Sequence, residues 1–153
     1  MPDDAGSLPG PMAGPCIEVW GLEQARLVLA IAAGRPVTLL SMRGAARLMG
    51  SPWWRVLIGA LDRPVPHILD CDDAAGRAAG ALRAGQPAIV FDRMAPQFPA
   101  IAALADVCGA HVFPERPPSF AVGLPPYKDY RCRQISAYLD TGPACPCPTA
   151  SST

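Results

Sequence analysis

Apolar and polar positions fall in blocks along this chain, and the period within the blocks switches repeatedly between that of a buried strand and that of a helix. Pro36-Val-Thr-Leu-Leu-Ser41 and Pro87-Ala-Ile-Val-Phe-Asp92 are near-continuous apolar runs of strand length. Such runs suit strands covered on both faces. Shorter runs at residues 16–20, 67–70 and 110–113 extend the series. Helical stretches lie between them. Residues 22–33 form one, closed by Gly34, and a short one covers 42–50. Ser51-Pro52 then opens a helix with an N-cap and an early proline. In it Trp53, Val56, Leu57, Ala60 and Leu61 recur at the spacing of one helical face. This places Trp53 inward and leaves the adjacent Trp54 partly exposed, or covered by the C-terminal segment. Residues 74–84 form a further helix closed by Gly85, and 97–108 another closed by Gly109. In the former, Gly76, Gly80 and Ala84 recur every four residues, a pattern that predicts close backbone packing on that side.

Strands alternating with helices imply right-handed crossovers and a parallel sheet. The expected fold is therefore α/β, with about five strand–helix units, either open and doubly wound or like half of a (β/α)-barrel. An internal repeat supports the unit. At an offset of 51 residues, Arg26, Ala30, Ala33-Gly34 and Pro36 match Arg77, Ala81, Ala84-Gly85 and Pro87, and the strands follow in register. A fainter third copy covers 102–113. The Gly/Pro-rich residues 1–15 read as a flexible leader, 16–140 as a single domain, and 141–153 as a disordered Pro/Cys/Ser-rich tail.

Composition narrows the function classes. Thirteen basic residues balance thirteen acidic ones in 153 residues. Zero net charge argues against electrostatic capture of nucleic acid or an anionic membrane. No run reaches the ~18 apolar residues of a bilayer span, and no secretory signal is visible. A cytoplasmic protein with reduced cysteines is expected. Twelve basic residues are arginine and one is Lys128, so a Schiff-base or phosphate-binding lysine would have to be Lys128. The Arg-rich, Lys-poor bias also fits the product of a GC-rich, bacterial-like genome.

In parallel α/β folds, ligands bind beyond the carboxyl ends of the strands. That rule selects Asp70, Asp72 and Asp92 as candidate catalytic or Mg²⁺-holding carboxylates, and Arg43, Arg93 and Arg116 as candidate anion-binding residues. The alternative is a solvated rim in which these charges pair with one another. The string Ile68-Leu-Asp-Cys-Asp-Asp73 resembles the first motif of haloacid-dehalogenase-type phosphatases. The resemblance would make Asp70 a nucleophile and Asp72 an acid/base. It spans about six residues and departs from the family at Ala74, where Thr or Val is usual. Ile17-Glu-Val19 and Val112-Phe-Pro-Glu115 resemble fragments of small pyruvate-type aldolases with a (β/α)-barrel, but the Schiff-base lysine of that family is missing.

No dinucleotide-binding glycine pattern and no Ser–His–Asp arrangement stands out, and no cofactor is assigned. His67 and His111 read as structural residues. Cys71, set between carboxylates, is the thiol nearest a site. Cys132, Cys145 and Cys147 are candidate soft-metal ligands. With no complete catalytic constellation, the sequence reads first as a non-catalytic domain that binds a partner chain or small ligand, with the Trp54 face open to a protein partner or a second copy. A small Mg²⁺- or phosphate-dependent enzyme is the rival, and metal handling by the C-terminal cysteines the third reading.

Overall fold

The computed structural model describes residues 12–146. The chain alternates as expected. β1 (Cys16–Val19) leads into α1 (Leu22–Ala32), and β2 (Thr38–Ser41) into the short α2 (Ala45–Leu48) and α3 (Ser51–Gly59). β3 (His67–Asp70), α4 (Ala75–Arg83), β4 (Ala88–Val90), α5 (Phe98–Cys108) and β5 (His111–Phe113) follow. A sixth strand, β6 (Ser119–Ala121), and α6 (Asp129–Thr141) complete the described chain. All strand pairs are parallel, in the order β5-β4-β3-β2-β1-β6. Among the described residues no helix is long and apolar enough to cross a membrane.

The order decides between the two arrangements left open by the sequence. From β1 to β5 every crossover steps the same way, so right-handed connections place their helices on one face. The sheet is singly wound. One large core joins residues from all six helices to Ile17, Val19, Leu39, Leu69, Cys71, Ile89 and Phe91. The alternate strand positions, Cys16, Leu40, Ile68, Ala88, Val90 and Phe113, form a second cluster without any helical residue.

That second cluster requires curvature. On a flat sheet β5 and β1 would stand four spacings apart, about 19 Å. Yet Phe113 and Cys16 belong to the same small cluster. Arg116, three residues beyond β5, hydrogen-bonds Glu18 on β1 and the Ser41 carbonyl on β2. Only Pro114 to Pro118 join β5 to β6 at the far edge. The sheet therefore curls toward a barrel, with the second cluster inside it and an unpaired gap between β5 and β6.

The N-terminal end of this curl is closed by both ends of the described chain. Thr38 exchanges hydrogen bonds with the backbone of Ala13 at 3.0 Å, and the Cys145 amide donates to the Gly14 carbonyl at 2.8 Å. Pro15 and Ala144 form an antiparallel bridge. Gly14, with φ +63°, lies so close to Pro36 that an added Cβ would sit 2.2 Å from its carbonyl oxygen. Residues 12–15 and 142–146, expected as leader and tail, are thus part of the folded unit. The rest of both expected segments lies outside the described residues.

The repeat has a physical basis in its turns. Gly34 and Gly85 both end a helix in the left-handed region, at φ +90° and +93°, before a buried strand. Two helical faces differ from expectation. Trp54 is fully buried, donating its Nε1 hydrogen to His67 Nδ1 at 3.1 Å, while Trp53 is half-buried and Val56 is exposed. The expected stripe on α3 instead lines an apolar groove against Leu22 of α1. In α4 the buried positions are Ala78, Ala81 and Leu82, and the Gly76/Gly80 side faces solvent. Nothing lies within 4 Å of a Cβ added at Gly80. Gly80→Ala is therefore expected to stabilise the protein by about 0.5–1 kcal/mol, through the entropy an exposed helical glycine wastes. A thermal melt should show the midpoint rising by roughly 2–4 °C, and an unchanged or lower midpoint would mean that α4 packs on that side after all.

Candidate functional site

The floor of the site is built around Arg116. Its side chain is 11% exposed and donates from Nη1 to Asp70 Oδ2 at 2.6 Å, and from Nη2 to Glu18 Oε2 at 2.5 Å and to the Ser41 carbonyl at 2.9 Å. Glu18 and Asp70 both occupy inward positions of their strands, which is why an arginine arriving from beyond β5 can reach both. Two carboxylates on one guanidinium leave this floor with one excess negative charge.

Asp70 is held from every side. Its Oδ1 accepts hydrogen bonds from the Gly44 amide at 3.1 Å and the Asp72 amide at 3.0 Å, while Oδ2 takes Arg116. The Asp70 amide donates to Ser41 Oγ at 2.8 Å. These contacts fold the loop after β3, where Asp72 adopts φ +51°, a left-handed conformation that Asp tolerates better than most residues. The Asp92 amide donates to the Asp72 carbonyl at 2.9 Å, tying the loops after β3 and β4 together.

Above the floor lies a depression of about 340 Å³ at the carboxyl ends of the strands, lined by Arg43, Asp70, Asp72, Val90, Asp92, Pro114, Glu115 and Arg116. Five of the six charged residues expected from the strand-end rule, Asp70, Asp72, Asp92, Arg43 and Arg116, thus line one cavity. The sixth, Arg93, is exposed, is not among the lining residues and pairs with Glu115 at 2.8 Å. Asp72 lies 3.6 Å from Arg47, which holds Asp73 at 3.1 Å. Asp92 Oδ1 accepts the Met94 amide at 2.9 Å.

The same geometry limits the chemistry. Arg116 is committed to carboxylates and Arg93 to Glu115, so Arg43, Arg93 and Arg116 do not form an anion cradle. Among the described residues no three His, Cys, Asp or Glu side chains gather into a metal-binding group. Asp70, the nucleophile implied by the phosphatase resemblance, has its oxygens engaged by an arginine and two amides.

Cys71 faces the helices rather than the cavity, and burial, helped by the Asp70 charge, pushes its thiol up to about 12. Cys145 sits at the opposite end of the sheet, with its Sγ 3.5 Å from Met12 Sδ, whereas Cys132 lies on α6 against the Tyr127 carbonyl. The intervening helix keeps those two apart, and Cys147 lies outside the described residues. Lys128 precedes α6 and does not line the cavity.

Glu18 escaped the sequence reading. The available signal for Glu18 was a lone carboxylate between apolar neighbours at an inward strand position. Fold and site together define a curled, singly wound α/β protein with a mixed-charge cavity at the strand ends. Comparison with protein-family models, with curated proteins and with solved structures finds no match.

Proposed function

We propose that this protein binds a small polar molecule at the carboxyl ends of its strands, without covalent catalysis. One observation carries the reading: charged residues from the ends of four strands meet around a single cavity of about 340 Å³. That volume lies within the range of small-molecule sites. The lining holds no His, Cys, Ser or Lys, and its most buried carboxylate, Asp70, has its oxygens engaged by Arg116 and two backbone amides. Burial of Trp54 removes the side chain on which a partner-chain reading would rest. A cytoplasmic setting is part of the proposal, on the expectation that the thiols stay reduced.

Amide NMR spectra recorded with pools of small metabolites test this. Saturable shifts are expected in residues 70–73, 91–94 and 114–116. Shifts confined to other parts of the sheet, or none with any pool, would overturn the proposal.

A further inference from the structure

The charges lining the cavity are not evenly spent, and the unspent ones describe a ligand. Glu115 is answered by Arg93 from outside, and Asp72 has Arg47 at 3.6 Å. Asp70 and Glu18 share Arg116. Two lining groups are left over. Among the described residues Arg43 makes no ion pair, and Asp92 accepts one backbone amide but meets no cation. They line the same cavity and do not pair with each other, so it presents one unpaired cation and one unpaired anion.

The floor, a largely buried triad of two carboxylates and one guanidinium, adds negative potential to the cavity where charge is screened less than in open solvent. Val90 and Pro114 supply apolar wall between the charged groups.

We infer that the ligand is a zwitterion of the free amino-acid class. Its ammonium sits at Asp92, its carboxylate meets the Arg43 guanidinium, and its carbon skeleton lies along Val90 and Pro114. The inference rests on the small-ligand reading above and names the chemistry of the same site. A dication would leave Arg43 opposed by like charge, and a dianion would meet Asp92 and the floor. A neutral polyol would leave both unspent charges without a partner.

Calorimetric titration tests it with defined probes: the free α-amino acids, their decarboxylated amines, the corresponding α-keto acids, inorganic phosphate, citrate and glucose. At least one amino acid is expected to bind saturably. Its amine and its keto acid are each expected to bind at least tenfold more weakly. Arg43→Gln and Asp92→Asn are each expected to weaken the amino acid at least tenfold. Asn keeps the Oδ1 acceptor for the Met94 amide, and Arg43 is exposed, so both variants should retain the wild-type circular dichroism spectrum. Binding of phosphate, citrate, glucose or an amine in preference to every amino acid would overturn the zwitterion while leaving a small-ligand site. Amino-acid binding unaffected by both substitutions would overturn the placement at Arg43 and Asp92. Failure of all probes, together with no shifts from the metabolite pools, would remove the site itself.

Discussion

Arg116→Ala is expected to destabilise the protein by about 3–5 kcal/mol, the usual cost of removing one partner from a buried ion pair. The effect is large because the two carboxylates left behind cannot reach water easily. The Asp70 side chain is 3% exposed and that of Glu18 17%. Neither has another cation within ion-pair distance among the described residues. With total stabilities of natural domains at about 5–15 kcal/mol, such a loss brings the variant near its unfolding threshold. Urea denaturation followed by tryptophan fluorescence should show the midpoint falling steeply. Arg116→Lys is expected to recover part of the loss, since it restores a charge but not the fork that reaches Asp70, Glu18 and the Ser41 carbonyl together. A loss below about 1 kcal/mol for Arg116→Ala would mean that the triad is solvated like a surface pair.

Mild acid is expected to weaken the fold through His67. Its Nδ1 accepts the Trp54 indole hydrogen at 3.1 Å and lies 3.2 Å from the Gln86 amide nitrogen. An acceptor with two donors aimed at it has no place for a proton, so the ring is neutral with its hydrogen on Nε2. Burial pushes the His67 pKa down from the ordinary 6.5 to about 4. The unfolded chain therefore takes up a proton near pH 6.5 that the folded chain refuses until about pH 4. The stabilisation is complete above about pH 7, is lost as pH falls from 6.5 toward 4, and changes no further below that. The whole swing is roughly 3 kcal/mol. Other carboxylates contribute to acid sensitivity, so the diagnostic quantity is a difference. Wild type and His67→Gln should be unfolded in urea at pH 7.5, 5.5 and 4, with the wild type expected to lose more than the variant across that range. Parallel pH curves would show that His67 protonates freely in the folded protein.

The alternation of strands and helices was legible because the apolar runs are long enough to mark strands and the Gly-capped turns mark their beginnings. β6 was not, since Ser119-Phe-Ala121 is three residues long, follows prolines and is only partly buried. The face of α3 was misjudged for a different reason. Its nine residues carry apolar side chains all around, so periodicity alone cannot say which side faces the sheet. Trp54 is selected by His67, a hydrogen-bond partner on another element, and sequence spacing holds no record of it. The glycine row on α4 misled in the opposite sense, because small residues serve an exposed face as readily as a close contact.

The candidate site divides the same way. Asp70, Asp72 and Asp92 were found because the strand-end rule depends only on where strands stop. The part played by Arg116 depends on how far the sheet curls, which no single strand encodes. An arginine that looks like an anion ligand in the sequence becomes the counter-charge of two carboxylates once β5 swings round toward β1.

Arg116 also sets the order in which the cavity can come into being. Its partners Asp70, Ser41 and Glu18 lie 46, 75 and 98 residues earlier in the chain. Contacts of such separation form only after a costly loop has closed, and they slow folding relative to local ones. A growing chain released from the ribosome up to β5 has both carboxylates of the floor, Glu18 and Asp70, but not the guanidinium that joins them. The contacts that tie β5 to β1 and β2 through this side chain, and with them the closed form of the cavity, therefore wait for residue 116.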